Sequence, residues 1–186
     1  MNQDPRVNRT RDAVLKATAA ILLEVGCEQL TIEAVAERSG VARSTIYRNW
    51  GERSALLIEA IEQLADLPDP PDSGCLADDL ASLGARLAEH LTSEPFGDLL
   101  PSLVSAGSAD PGLQQRLRAM ADRRFAMVKT VFERGVLRGE IPAADLDARV
   151  EHFIAPFFTR HLLHGWPLDE TFRTRQVRAA LATVEV

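Results

Sequence analysis

The chain has 186 residues, of which 46% are hydrophobic and 26% are charged, and its formal net charge is −6. This composition is typical of globular proteins, and no apolar run approaches the roughly 18 residues of a membrane-spanning helix. The N-terminus lacks the layout of a secretory signal, and Cys27 and Cys75 lack the spacing of a metal or redox site. We therefore expect a cytoplasmic protein without a membrane segment, with two unequal domains and two free thiols.

The charge is unevenly distributed along the chain. Residues 1–54 hold eight Lys and Arg against seven Asp and Glu, whereas residues 55–186 hold thirteen against twenty. The N-terminal segment is therefore nearly neutral. Contact with DNA in this segment would depend on the placement of single arginines rather than on bulk positive charge.

The first part of the chain has the apolar spacing of short helices, and no stretch alternates like a strand, which predicts an all-α fold of about nine helices. A first helix ending at Gly26 has one apolar face, formed by Val14, Ala17, Ile21, Leu22 and Val25. Thr31 is the expected N-cap of the second helix, and Leu30 and Val35 on either side of it can form a hydrophobic staple. That helix ends near Gly40, and two more follow over about Arg43–Trp50 and Arg53–Leu67.

A proline-rich segment, Asp66–Gly74, then interrupts the helical pattern where the charge balance changes. It predicts an N-terminal domain over residues 1–54, joined through the helix at 53–67 to a C-terminal domain over 68–186. In that C-terminal domain we expect a leucine-striped helix, a short apolar segment, a long helix and two final helices, located respectively at Leu76–Leu91, Phe96–Ala106, Leu117 to about Gly139, Asp145–His164 and Leu168–Thr183.

The most informative stretch, Thr31–Trp50, has the features of a helix-turn-helix. Two short helices that cross steeply need a small residue at their contact, a glycine in the turn and a buried aliphatic on the second helix. Ala36, Gly40 and Ile46 occupy these positions. Ile46 and Trp50 lie four residues apart and face inward together, which leaves the polar side chains of their helix on its exposed side. This arrangement is typical of a helix that enters the major groove of DNA.

The run Ser39-Gly40-Val41-Ala42-Arg43-Ser44-Thr45-Ile46-Tyr47-Arg48-Asn49-Trp50 resembles the TetR family of transcriptional regulators, and the similarity covers about Arg11–Leu57. The family pattern is a threonine-started helix, an alanine, Gly-Val, a Thr-(Leu/Ile)-Tyr core, an aromatic residue and a basic residue that opens the next helix. The chain has Asn49 where histidine is frequent and Trp50 where phenylalanine is usual. Glu52-Arg53 replaces a small cap plus lysine, which weakens the helix cap unless Gly51 serves instead.

Position by position, the resemblance implies eight DNA contacts. Phosphates would be held by Thr31, Thr45, Tyr47 and Arg53. Bases would be faced by Arg43, Ser44 and Arg48, with Asn49 as a further candidate. Arginine can bind guanine O6 and N7 together, so Arg43 and Arg48 are the best candidates for sequence readout. N-terminal to these residues, a flexible arm with Arg6, Arg9 and Arg11 either contacts DNA or forms a solvated tail.

The resemblance also implies a variable body with a central ligand pocket and a four-helix dimer contact made by the last two helices of each subunit. The expected pocket residues are Leu103, Met120, Val128, Phe153, Phe157 and Trp166, although aromatic residues in such a helix are more often core or dimer surface than part of a ligand site. The helix over Asp145–His164 has more apolar residues than one stripe can hold, which also favours a homodimer. The expected partners are a palindromic operator in double-stranded DNA, a second copy of the chain and a small, largely apolar effector, with no cofactor.

Three alternatives are weaker on the sequence. A helix-turn-helix adaptor would bind only protein. An enzyme would need a nucleophile elbow, a phosphate loop or paired carboxylates, and none of these motifs is found. A metal site near His152, His161 and His164 would need a cysteine or carboxylate on the same helix face, and none completes a set there. Repression is the default sign of control, and activation stays open.

Overall fold

A computed structural model describes residues 5–27, 29–64, 69–93 and 96–182. Within these ranges the secondary structure consists of nine α-helices and one π-helical turn, without strands. The helices are α1 (Pro5–Val25), α2 (Ile32–Ser39), α3 (Arg43–Trp50), α4 (Arg53–Leu64), α5 (Leu76–Thr92), α6 (Phe96–Ala109), α7 (Pro111–Leu137), α8 (Leu146–Phe158) and α9 (Glu170–Leu181), with the π-helical turn over Thr159–His164 between α8 and α9. The all-α prediction is confirmed. No helix in the described ranges is long and apolar enough to cross a bilayer.

The helices form two compact units. The first unit contains α1–α4, α6 and α7 up to Ala119, and the second contains α5, α7 from Met120, α8, the π-helical turn and α9. These units do not coincide with the predicted domains, because α6 and the start of α7 pack with helices that precede them by dozens of residues. The expected boundary at residue 68 and the predicted end of α4 at Leu67 lie outside the described residues, and residues 69–74 are not helical.

In the first unit, α1 packs against α2 and α4, and α3 packs against the same two helices. The shared core consists of aliphatic side chains from all four helices and the α1–α2 loop, namely Val14, Leu15, Ile21, Leu22, Leu30, Val35, Ile46, Leu56, Leu57 and Ile61. Helix α1 already begins at Pro5, so Arg9 and Arg11 lie on a helix and not on the expected flexible arm. The described core thus sets α3 against two helices at once.

The second unit has an aromatic core. The rings of Phe132 and Phe153, Phe153 and Phe157, and Phe157 and Phe172 have centroid distances of 6.1, 5.7 and 4.9 Å, with two of the three pairs edge to face. Edge-to-face pairs of this kind add to the free energy gained by burying the rings. Helices α5 and α8 both pack on α9. The core of this unit therefore joins α7, α8 and α9 through one row of phenylalanines.

Helices α5 and α7 approach closely at Gly135. A Cβ atom placed on Gly135 would lie 2.6 Å from Cδ2 of Leu76, so the two helices can meet only because this residue has no side chain. The Leu76 amide at the start of α5 donates to Glu140 Oε2 at 2.7 Å. The pKa of Glu140 is lowered by its hydrogen bond to Arg138 and then by this amide. Both contacts fix the start of α5 to the end of α7.

The C-terminal helices differ from the prediction of two continuous helices. Asp145 has a left-handed backbone with φ of 51°, and α8 starts after it. From Thr159 to His164 the chain is π-helical rather than α-helical, which ends the regular apolar spacing of α8. Helix α9 starts at Glu170 because the Asp169 carboxylate caps it by accepting from the Phe172 amide at 2.8 Å. The predicted end of this helix at Thr183 is outside the described residues.

Candidate functional site

The first helix of the helix-turn-helix, α2, starts at a side-chain cap. Thr31 Oγ1 accepts a hydrogen bond from the Ala34 amide at 3.1 Å, as expected of an N-cap. Leu30 and Val35, the two residues of the predicted staple, are completely buried. Gly40 ends α2 with φ of 69°, a conformation that is unfavourable for residues with a side chain. The turn between α2 and α3 therefore forms as the sequence predicts.

Helix α3 is held from behind by Trp50. Ile46 is completely buried and Trp50 nearly so. The indole Nε1 of Trp50 donates to Glu59 Oε2 at 2.8 Å, and Arg11 Nη2 donates to the same oxygen at 2.6 Å. The Arg11 guanidinium also lies 5.5 Å from the centre of the Trp50 ring, which is within the range of a cation–π contact. Side chains of α1 and α4 thus fix the rotation of α3. Glu59 was not predicted from the sequence, and the available signal was an acidic residue directly between two apolar residues, Ile58 and Ala60, of α4.

The opposite face of α3 is polar and exposed. Ser44 and Arg48 are exposed there, Tyr47 and Asn49 are exposed on its flanks, and Thr45 at its edge is half-buried. Arg43 is exposed at the N-terminal end of the helix. Tyr47 is 48% exposed, so its ring is not part of the core. One short helix thus brings together six of the eight residues that the resemblance implies for DNA contact.

Arg43, at the N-terminal end of α3, forms an ion pair with a glutamate of α2. Its Nη1 atom lies 3.3 Å from Glu33 Oε1 on α2, and both side chains are more than half exposed. Exposed ion pairs of this kind contribute about 0–1 kcal/mol, so another anion can replace the glutamate at little cost. The pair thus positions the Arg43 side chain near the start of α3 and leaves it available to bind another anion.

Arg53, expected to hold a phosphate, is bonded to the protein itself. Its Nε donates to the Leu30 carbonyl at 2.6 Å, and its Nη2 donates to the Cys27 carbonyl. These carbonyls belong to the connection between α1 and α2, so Arg53 ties the start of α4 to that connection. Among the described contacts of Arg53, Nη1 alone has no protein acceptor. Arg53 therefore has a positioning role that its place in the sequence does not reveal.

The start of α4 is also bonded to α7. Arg116 Nη2 lies 2.5 Å from Glu52 Oε1, and its Nε donates to Ser54 Oγ at 3.3 Å. Arg116, and less strongly Ser54, lower the pKa of Glu52 through these hydrogen bonds. Gly51 does not cap α4, because α4 starts at Arg53 and the residue at its N-cap position is Glu52, whose carbonyl accepts from the Leu56 amide. Gly51 instead closes α3, with its amide donating to the Tyr47 carbonyl at 2.7 Å. Residues 64 positions apart in sequence are joined here.

A cavity of about 110 Å³ lies within the second unit, between α5, α7 and α8. Its wall is mostly apolar, with three polar side chains, and consists of Pro70, Leu83, Arg86, Leu87, His90, Arg124, Met127, Val128, Phe153, Ile154 and Phe158. Burial, and then the nearby Arg124 cation, lower the pKa of His90 to about 4. Its imidazole is therefore neutral at pH 7, with one ring nitrogen that can donate a hydrogen bond and one that can accept.

Two of the six predicted pocket residues, Val128 and Phe153, line this cavity. Leu103 is buried in the first unit, and Phe157 and Met120 are packed in the protein interior. Trp166 is half exposed, and its ring stacks on His164 with a centroid distance of 4.1 Å. These four do not line the cavity. Apolar spacing shows which faces are buried, but it does not distinguish a packed core from a cavity wall.

Four of the nine cavity residues that were not predicted from the sequence lie on one face of α5. Leu83, Arg86, Leu87 and His90 are spaced three, four and seven residues after the first, which is the pattern of a single helix face. Two polar side chains within a leucine stripe were the available signal. Among the described residues, no three His, Cys, Asp or Glu side chains come together to hold a metal ion, the C-terminal histidines included.

Two consecutive stretches of the chain match known protein families. Residues 14–60 match the family described as bacterial regulatory proteins, tetR family, and residues 70–180 match the tetracyclin repressor-like C-terminal domain. The chain belongs to the TetR family. The resemblance seen in the helix-turn-helix is thereby confirmed, and it extends to the C-terminal part of the chain.

Relatives of this TetR-family chain are transcriptional regulators. The uncharacterized HTH-type transcriptional regulator YdeS of Bacillus subtilis is 30% identical over 90% of this chain and 86% of its own length. The DNA-binding transcriptional repressor TetR of Mycobacteroides abscessus is 31% identical over 90% of both chains. The crystal structure of TetR family transcription regulator SCO0332 superposes with a TM-score of 0.75 at 29% identity, covering 93% of this chain and 97% of that one. The protein is a DNA-binding transcriptional regulator.

Proposed function

We propose that the protein is a dimeric repressor that binds a palindromic operator and releases it when a small molecule occupies the cavity of the second unit. The observation that supports DNA binding is helix α3, which exposes four polar residues, Ser44, Tyr47, Arg48 and Asn49, away from the buried Ile46 and Trp50, and exposes Arg43 at its N-terminal end. A helix held so firmly from behind presents its polar groups in fixed positions, as reading base edges requires. The relative from Mycobacteroides abscessus is named as a repressor, which supports this sign of control.

In this proposal the side chains of α3 form two groups, one that contacts bases and one that contacts phosphates. Arg43, Ser44 and Arg48 face the bases in this proposal, with Asn49 beside them. Thr45 and Tyr47 at the edges of the face hold phosphates. Contacts to phosphate set the position of the protein on the duplex, and contacts to base edges give its specificity. Each arginine that binds one guanine through two hydrogen bonds contributes about 1–3 kcal/mol of discrimination.

Two further phosphate contacts come from outside α3. Thr31 is exposed at the start of α2, where the amide groups of a helix N-terminus attract anions. Arg53 can offer Nη1, since its other described hydrogen bonds use Nε and Nη2. The first unit thus surrounds α3 with groups that bind the backbone of DNA.

The dimer is proposed to form through α8, the π-helical turn and α9. Leu163 is 77% exposed and Trp166 is 52% exposed, whereas Val150, Phe153 and Phe157 of α8 are buried within their own unit. A second copy would cover these two residues. One recognition helix reads few base pairs, and a two-fold dimer reading half-sites about 34–36 Å apart supplies the missing affinity.

Helix α7 offers a route from the cavity to the DNA-binding helices. Its residues Arg124, Met127 and Val128 line the cavity, and Arg116, two turns before them, is bonded to Glu52 and Ser54 at the start of α4. A ligand that shifts α7 would therefore pull on the residues next to Arg53. The shift lowers operator affinity only if the ligand binds the released conformation more tightly.

The test is a selection of bound fragments from genomic DNA by the purified protein, followed by titration of the selected sequence. A palindromic motif is expected, and Arg48→Ala should weaken binding to it about 10- to 100-fold. Arg118→Ala is the matched control, because Arg118 is an exposed arginine of the same unit on α7. A protein that enriches no motif, or an Arg48→Ala variant that binds like the control, would contradict the proposal and favour an adaptor that binds only protein.

A further inference from the structure

The C-terminal end of α3 is joined to two other helices through one carboxylate oxygen. Glu59 Oε2 on α4 accepts from the indole Nε1 of Trp50 at 2.8 Å and from Arg11 Nη2 on α1 at 2.6 Å. The Arg11 guanidinium closes the triangle, because it lies 5.5 Å from the centre of the Trp50 ring. These three side chains form the α3 anchor, and each of them comes from a different helix of the first unit.

The α3 anchor supplies a directional contact that apolar packing lacks. Trp50 is buried, and a buried indole N–H needs a hydrogen-bond partner. Burial of Ile46 and of the Trp50 ring depends on area rather than on direction, so it allows α3 to turn by a small angle about its own axis. A hydrogen bond restricts such a turn, because its length stays within about 2.7–3.2 Å and its angle prefers to be nearly straight.

A small turn of α3 would change what its exposed side chains can reach. The outer surface of a helix lies about 5–6 Å from its axis, so a rotation of about 20° moves that surface by about 2 Å. This displacement exceeds the range of a hydrogen bond to a base edge. It matters less for the attraction between a cation and the phosphates, which falls off gradually with distance. The rotation of α3 therefore affects the recognition of sequence more than the general attraction to DNA.

We propose that Glu59 is a specificity-determining positioning residue, which acts through Trp50 and without touching DNA. The proposal rests on the proposed function for the reading of bases by α3. The carboxylate fixes the rotation of α3 at which Ser44 and Arg48 meet base edges. Arg11 has the smaller part in the α3 anchor, because its side chain is 45% exposed and ion pairs exposed to water are weak. The hydrogen bond from Trp50 is therefore the contact that sets the specificity.

The test compares two affinities of the full-length protein at one salt concentration, measured by fluorescence anisotropy. One duplex carries the motif selected from genomic DNA, and the other has the same bases in scrambled order. A variant that merely folds less well loses both affinities alike, so the ratio of the two stays at the wild-type value. Glu59→Ala should lower this ratio about 10-fold or more, because a misplaced arginine loses its two hydrogen bonds to one base.

The matched control is Glu37→Ala. Glu37 is an exposed carboxylate on α2 of the same unit, so its replacement removes the same charge and leaves the α3 anchor intact. Loss of a negative charge strengthens binding to any DNA, and the control measures that effect by itself. Glu37→Ala should keep the wild-type ratio of the two affinities.

Two conservative changes separate the hydrogen bond from the charge. Glu59→Gln keeps an oxygen that can accept from the indole and removes the charge, so its ratio should stay within about threefold of wild type. Trp50→Phe keeps an aromatic ring and removes the donor, so it should lower the ratio, and Glu59→Ala should add little to that loss in the double variant. The indole N–H resonance that disappears in Trp50→Phe should shift in Glu59→Ala and stay unchanged in Glu37→Ala.

The outcomes separate this inference from the proposed function. The inference is overturned if Glu59→Ala keeps the wild-type ratio, if Glu59→Gln loses as much as Glu59→Ala, or if the losses of Glu59→Ala and Trp50→Phe add. If Arg48→Ala weakens binding to the selected motif and Glu59→Ala keeps the ratio, the proposed function stands and this inference alone is wrong. A protein that selects no motif would refute both.

Discussion

Replacing Arg53 separates two roles of one side chain. The guanidinium donates to the carbonyls of Leu30 and Cys27, and it leaves Nη1 for a phosphate. A hydrogen bond from a charged donor contributes about 1.5–3 kcal/mol, and partial exposure of this arginine reduces that amount. We expect Arg53→Ala to lower the free energy of unfolding by about 2–4 kcal/mol, because both carbonyls lose their donor.

Arg53→Lys should divide the effects. Its ammonium can reach only one carbonyl at a time, so about half of the stability loss should remain, roughly 1–2 kcal/mol. Its charge still reaches a phosphate. The plot of log affinity against log salt should therefore keep its slope in Arg53→Lys, whereas Arg53→Ala should make it shallower by about 1.8 for a dimer that loses one phosphate contact per subunit.

The assays are urea unfolding followed by circular dichroism, at one fixed protein concentration, and operator titration at several salt concentrations. Arg118→Ala controls for the loss of an exposed arginine in the same unit. Unfolding free energies of both Arg53 variants within about 0.5 kcal/mol of wild type would refute the role of Arg53 in holding the α1–α2 connection. A slope unchanged in Arg53→Ala would refute the phosphate contact alone.

Two more predictions concern the second unit. Gly135→Ala should lower the free energy of unfolding in urea by about 1–3 kcal/mol, because its Cβ would lie 2.6 Å from Leu76. In a Leu76→Ala background the same change should cost less. An unfolding free energy of Gly135→Ala equal to that of wild type would contradict the close approach of α5 and α7. The pKa of His90 is lowered to about 4, below its unfolded value, so its contribution to stability is complete above pH 6.5 and is lost as the pH falls from 6.5 towards 4. Wild type should therefore lose more unfolding free energy than His90→Gln over that range, and equal losses, or an NMR titration of His90 near pH 6.5, would show that the imidazole is not buried as described.

The helix-turn-helix could be predicted from the sequence because its determinants are local. The Thr31 cap, the Gly40 turn and the inward pair Ile46 and Trp50 lie within 20 residues of one another, and the structure confirms each of them. Helix boundaries were less certain where no cap residue marks them, as with α1, which extends back to Pro5.

Contacts between distant segments could not be predicted. The pair Glu52 and Arg116 spans 64 positions, and no local pattern links the two. The same limit explains why only two of the six predicted pocket residues line the cavity. Phe153 and Phe157 lie one turn apart on α8, and only Phe153 lines the cavity. Which apolar side chain meets empty space depends on how α5, α7 and α8 are arranged, and spacing within one helix does not contain that information.

The pair of Arg43 and Glu33 affects how the regulator searches the genome. Every stretch of DNA offers phosphates, and a regulator with a strongly cationic surface spends much of its time on irrelevant sites. In the protein without DNA, Glu33 Oε1 lies 3.3 Å from Arg43 Nη1, so the glutamate competes with other anions for this arginine. Because an exposed pair of this kind contributes only about 0–1 kcal/mol, any DNA that offers an acceptor displaces the glutamate at little cost. Glu33 would thus keep Arg43 in place between encounters and would lower its affinity for all DNA by a small and similar amount.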